Sequence, residues 1–364
     1  MSFPEPRTGR LDALTGLRGV AAWLVVLYHV RLSLTGIVPG SVVEVLGKGY
    51  LAVDVFFVLS GFVIWLNYAD SVASGGWAAT GRYLWRRFAR VWPLHAVILA
   101  AFVALAVGLW ATGRDTSAYP FAELPLHLLM IQNWGFTEAL TWNDPAWSIS
   151  TEFAAYLLFP LLALTAARLP RVSPLTLLGI AGLLCIAVWA LFAANGHALL
   201  GADIPRLGLW RCLAEFALGC TACALWRRSA GTAAGWLGCA LGWIAGGLIL
   251  DWPETAIVPL TVFAAILALA LADRAFARRL GSGFALWLGE ISYSTYLSHV
   301  LLFTLFKLAF VGPDLQLGWL GLVAYLVLVL AASAGLYRWV ERPGQRALNR
   351  LVPARVPTAP KAAA

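Results

Sequence analysis

"GLRGVAAWLVVLYHV", residues 16–30, is an apolar stretch with Arg18 near one end and His29 near the other. Its length and composition read as a membrane-crossing helix. Ten residues separate the two ionisable side chains, so at helical rise they stand about 16 Å apart along the axis and do not touch. Ionisable groups at membrane depth are costly, which makes each a candidate for function. The plain alternative has Arg18 snorkelling to lipid phosphates and His29 hydrogen-bonding a neighbouring helix.

Outward from this stretch the same character holds. Of 364 residues, 61% are hydrophobic and 12% charged, with 18 tryptophans, and the mean hydropathy is +0.79. That is the composition of an integral membrane protein. The net charge of +8 comes from short basic clusters between apolar runs rather than from one basic stripe, so no nucleic-acid partner is expected. The five cysteines lie in or beside apolar runs. Cys220 and Cys223 form a C-x-x-C within a hydrophobic helix, without partner ligands, so neither disulfide scaffolding nor a metal is expected. The polar start "MSFPEPRTGR" argues that the first run is retained as a helix rather than cleaved as a signal peptide.

Runs long enough to span fall near 14–34, 48–67, 92–112, 147–167, 174–194, 207–226, 232–250, 256–272, 285–311 and 317–338. The expected fold is therefore all-α and polytopic, with about ten membrane helices and both termini cytoplasmic. "FAELPLHLLMIQNW", 121–134, is short and interrupted by Pro125, and reads as interfacial or re-entrant. Residues 1–346 make one membrane domain, and the Pro/Ala-rich 347–364 reads as a disordered cytoplasmic tail. With the N-terminus inside, only six of the 26 basic residues fall outside: Arg31, Lys48, Arg114, Arg206, Arg211 and Lys307. The other side, which includes a 68–92 loop, holds the rest and is cytoplasmic by the positive-inside rule. A multi-pass protein of the cell's inner or plasma membrane, in contact with its lipids, follows.

In this orientation His29, Asp54 in "GYLAVDVFFVLSGF" and Glu152 in "DPAWSISTEFAAY" converge in the outer half of the membrane. At the inner side "GRYLWRRFARVWPLH" sets Tyr83, Arg86, Arg87 and Arg90 level with Arg18. Guanidinium groups at one depth suit a phosphorylated cofactor, since they bind phosphate bidentately; Arg82 and Arg86 read instead as ordinary interfacial anchors.

At these residues the chain resembles the acyltransferase-3 family of integral-membrane O-acyltransferases, which acylate bacterial surface sugars and some secreted secondary metabolites. "LDALTGLRGVAAWLVVLYHV" resembles the family's Arg-x10-His opening, "VDVFFVLSGFVIW" its second-helix signature, and "RRFARVWPLH" its Arg-x-x-Arg element, here Arg87 and Arg90. "WSISTEFAAYLLFP", "LGEISYSTYLSH" and "RWVERPGQR" are similar to three further elements, carrying Glu152, His299 and Glu341. Six such segments in order cover residues 11–346. The resemblance implies a cytoplasmic acyl-CoA donor, acetyl-CoA by default, and a hydroxyl acceptor. Many members carry a fused esterase-like domain after the membrane part; acyl delivery is expected here without one.

Transfer of an acyl group from a thioester to a hydroxyl needs a base, and a near-neutral imidazole serves. His29 is the candidate. Glu152 is expected on its other ring nitrogen, with Asp54 as alternative; direct transfer and a covalent acyl-histidine are both open. Arg18, Arg87, Arg90 and Tyr83 are candidates for the donor, and Trp147, Ser148 and His299 for the acceptor, although His299 also reads as a structural histidine. Trp134, Trp142, Trp147 and Trp210 can stack on a sugar or anchor at the interface. The acceptor is expected to be a carbohydrate hydroxyl, with a macrolide-like hydroxyl as alternative. A proton-coupled transporter would also bury His, Asp and Glu, but no internal repeat accompanies them. The oligomeric state is not legible.

Overall fold

The computed structural model describes residues 8–169, 172–228, 230–272, 283–311 and 316–352, with side chains from residue 12 onward. All regular structure among them is helical: α1 (Thr8–Val30), α2 (Gly40–Gly47), α3 (Ala52–Ala111), α4 (Leu124–Leu128), α5 (Ala146–Arg168), α6 (Pro174–Ala194), α7 (Ile204–Arg227), α8 (Ala233–Ile249), α9 (Glu254–Leu271), α10 (Gly283–Glu290), α11 (Ser292–Phe310), α12 (Trp319–Leu336) and α13 (Arg342–Asn349). Seven helical stretches among the described residues are long and apolar enough to cross a membrane, one of them the 72-residue stretch 40–111. The chain is an all-α, multi-pass membrane protein.

Two expectations are corrected. The 68–92 segment is not a loop but part of α3, which stays helical over 60 residues apart from a break at Gly76 (φ 55°, ψ −147°). At about 90 Å such a helix is roughly three bilayer cores long. The glycine, which adopts positive φ without a Cβ clash, divides it into two lengths. The ninth run, in turn, is two helices, α10 and α11, joined at Ile291.

The segment after α3 folds back along it. Tyr119 packs on Phe102 with ring centroids 6.1 Å apart, and His95 Nε2 lies 2.7 Å from the carbonyl oxygen of His127. His95 sits about four turns, or about 24 Å, before the end of α3. Residues 112–145 therefore re-enter the helical body, where Gln132 Nε2 donates to Ala146 O at 3.1 Å and Asn133 Nδ2 to Ile204 O at 3.1 Å. Backbone carbonyls cannot stay unpaired in such surroundings, and the polar residues of the segment supply partners.

α3 packs most extensively on α7, and α1 on α10 and α11. The α1–α10 crossing brings backbone onto backbone: a Cβ on Gly19 would lie 2.7 Å from Gly289 N, and one on Gly289 only 1.9 Å from Thr15 O. Small residues permit this approach, and it sets Arg18 beside the first turn of α11. After α12 a π turn, Tyr337–Glu341, leads into α13. α13 reaches past residue 346, and Trp85 Nε1 donates to Leu348 O at 2.8 Å. Residues 353–364 of the expected tail lie outside the described residues, as do the side chains of Arg7, Arg10, Arg171, Arg274, Arg278, Arg279, Arg355 and Lys361 used in the charge count.

Candidate active site

α1 and α11 bring two histidines together. His29 is the penultimate residue of α1, and its Nδ1 lies 2.9 Å from Val25 O and 3.1 Å from Nε2 of His299. His299 is fully buried, and its Nδ1 faces Tyr296 O at 2.7 Å and Thr295 O at 3.2 Å. Tyr325 Oη donates to the His299 carbonyl at 3.1 Å, holding that turn of α11 against α12. Asp144, just before α5, is close enough to His29 to act on its charge.

Next to the pair, α1, α3, α5 and α11 line a cavity of about 140 Å³. Arg18, Arg87, Arg90, Glu152 and Tyr156 face it, and Phe56, Ser148 and Tyr296 line it farther along. Tyr296 is one turn before His299 on α11, and its hydroxyl lies 2.8 Å from Ser148 Oγ. The arginines differ in their partners. Arg18 donates to Ser292 Oγ at 3.2 Å. Arg90 pairs with Glu341, whose other oxygen accepts from Ser294 Oγ at 2.7 Å. Arg87 has no carboxylate partner among the described residues: its Nε is buried without a hydrogen bond, and its guanidinium lies 5.4 and 5.7 Å from the ring centres of Tyr68 and Tyr156. A cation in that state is suited to a phosphate or another anion entering the cavity.

A second polar cluster lies between α3 and α7. Arg211 binds both oxygens of Asp54, from Nε at 2.9 Å and from a terminal nitrogen at 2.7 Å, and donates to Leu200 O at 2.8 Å. Glu215, one turn along α7, lies 3.8 Å from Arg211 Nε with neither carboxyl oxygen hydrogen-bonded among the described residues. All three side chains are buried to 1% exposure or less.

The structure thus gathers Arg18, Arg87, Arg90, Glu152 and Ser148 around one cavity, and His29 with His299 next to it. It does not put Asp54 or Glu152 on His29: Asp54 is held by Arg211, and Glu152 faces Arg18 and Tyr156. Tyr83 is buried behind the cavity against Phe159, with centroids 4.9 Å apart, and its hydroxyl has no partner among the described residues. Trp147 packs on Phe57 and on the Arg211 guanidinium rather than facing open space. His95 binds backbone, the carbonyl of His127. The neighbouring His127, in the re-entrant segment, is buried, and its Nε2 lies 3.0 Å from Thr141 Oγ1. Sequence reasoning missed Arg211 and Glu215 as a buried pair; the signal was there in "RCLAE", two opposite charges one helical turn apart inside an apolar run.

The family model described as "Acyltransferase domain" matches residues 11–338. "Acyltransferase MdmB" of Streptomyces mycarofaciens is 32% identical, over 98% of this chain and 96% of that protein. "Protein 2 in picA locus" of Rhizobium radiobacter is 38% identical over 107 residues, 29% of this chain and 51% of that protein. No solved structure matches.

Proposed function

This chain belongs to the acyltransferase-3 family, and on that premise we propose that it moves an acyl group, acetyl by default, from cytoplasmic acyl-CoA to a hydroxyl of a cell-surface or exported carbohydrate, working in the inner or plasma membrane. The observation that carries this reading is the single cavity that Arg18, Arg87 and Arg90 share, which ends at Ser148 and Tyr296 one turn from the His29–His299 pair. Phosphates of the donor pair with the guanidinium groups, and the pantetheine arm lies along the cavity toward the histidines. Glu152 balances the cluster and orients Arg18.

His29 then takes the proton of the acceptor hydroxyl. The oxygen attacks the thioester carbonyl, the C–O bond forms as the C–S bond breaks, and the imidazolium returns its proton to the departing CoA thiolate. Ser148 and Tyr296 line the end of the cavity nearest the histidines, their hydroxyls 2.8 Å apart and each bonded to Pro145 O, at 3.0 and 3.2 Å.

Inverted membrane vesicles supplied with radiolabelled acetyl-CoA test the reading. Label is expected in extracted glycan, and only with the intact protein. Label-free glycan together with donor-independent solute flux would overturn it in favour of transport.

A further inference from the structure

The contacts around His29 determine where its proton resides. A carbonyl oxygen only accepts, so His299 Nδ1, facing Tyr296 O at 2.7 Å and Thr295 O at 3.2 Å, carries a hydrogen. By the same rule His29 Nδ1, 2.9 Å from Val25 O, carries one too. A neutral imidazole has a single N–H. Nε2 of His299 is therefore a bare acceptor, and it lies 3.1 Å from the His29 Nδ1–H.

One placement of two protons satisfies all four contacts. With the His29 proton on Nε2 instead, its Nδ1 lone pair would face two acceptors, Val25 O and the His299 nitrogen. With a second proton on His299, a cation would sit in a fully buried ring. Nε2 of His29 is left bare. It makes no hydrogen bond among the described residues, and the ring is only half-buried.

We propose that His299 is the positioning residue of the reaction: it accepts the Nδ1–H of His29 and so presents Nε2 of His29 as the base. This rests on the reading of His29 as the base given above. A neutral ring stands where a hydrolase triad has a carboxylate. In apolar surroundings that choice orients the imidazole without burying an anion, whose desolvation would cost far more than that of a neutral ring. When His29 gains its second proton in the reaction, the His299 lone pair still accepts from it, and the Asp144 carboxylate favours the new charge.

The test combines variants with spectroscopy on the full chain in lipid nanodiscs. His299→Leu removes the acceptor, whereas His299→Gln keeps an amide oxygen near the place of Nε2. The leucine variant is expected to lose kcat on the order of 10²-fold, with little change in KM for acetyl-CoA, and the glutamine variant to recover most of that loss. In the wild-type protein, ring-15N-labelled histidine should show His29 with Nδ1 protonated and Nε2 bare, assigned by the signals lost in His29→Gln. A wild-type kcat in His299→Leu, or a His29 proton on Nε2, would overturn the proposal. Should the leucine variant fail to fold, the wild-type spectrum decides. Activity persisting in His29→Ala would instead overturn the base assignment and leave the tautomer measurement standing separately.

Discussion

Arg211 and Asp54, 157 residues apart in sequence, meet in a two-point guanidinium–carboxylate contact with both side chains at 1% exposure or less. Breaking such a pair leaves a buried charge without a partner, at a cost of about 3–5 kcal/mol. Arg211→Met and Asp54→Leu should each sharply lower the yield of folded, inserted protein. The double variant should recover part of it, because neither charge of the pair is left alone, and only part, because Glu215 loses its neighbouring cation. Size-exclusion profiles and thermal unfolding in detergent measure this. A variant at position 54 with normal yield and lost turnover would show that Asp54 serves the chemistry instead.

The cavity arginines separate by their partners. Arg87 has no carboxylate partner among the described residues, so Arg87→Ala should weaken acyl-CoA binding by about 1.5–3 kcal/mol, the worth of a charge-assisted hydrogen bond, with folded yield kept. Arg90→Ala strands the buried Glu341 and should lower both affinity and yield. Pairing Arg90→Ala with Glu341→Gln should restore yield but not affinity. Calorimetric titration with CoA reads the affinities, and unchanged values in both single variants would return these residues to the role of interfacial anchors.

His29→Ala is expected to abolish transfer while leaving the inserted amount near normal, since the side chain is only half-buried. Residual turnover above a few per cent would remove His29 as base. Glu152→Gln should shift KM for the donor together with kcat, because Glu152 faces Arg18 in the cavity. A loss confined to kcat would place its carboxylate on the histidine after all.

Orientation is open to labelling. In a cysteine-free background, Ser74→Cys, exposed beside the Gly76 break, should be protected from an impermeant maleimide in intact cells. Ala139→Cys, exposed in the re-entrant segment, should react. The reverse pattern would place His29 on the cytoplasmic side, and the acyl donor would no longer need to reach across the membrane.

Sequence alone determined the class of this protein, because the cost of burying charge and backbone in lipid is written directly into composition: long apolar runs, few charges, and those few conspicuous. Arg18, Arg87, Arg90 and Glu152 were legible as candidates for that reason, Ser148 only through the resemblance, and they do share a cavity. Partnership was not legible, since it depends on how helices rotate and cross, which the apolar pattern of an all-round hydrophobic helix hardly encodes. Glu152 and Asp54 each looked a fit companion for His29 by depth. Tertiary structure gave Asp54 to Arg211, set Glu152 among the arginines, and brought His299, 270 residues away from His29, onto its ring nitrogen. The deciding contacts were backbone ones: Gly19 against Gly289, close enough to exclude a single Cβ, and the carbonyls of Val25 and Tyr296, which fix the protons of the two histidine rings.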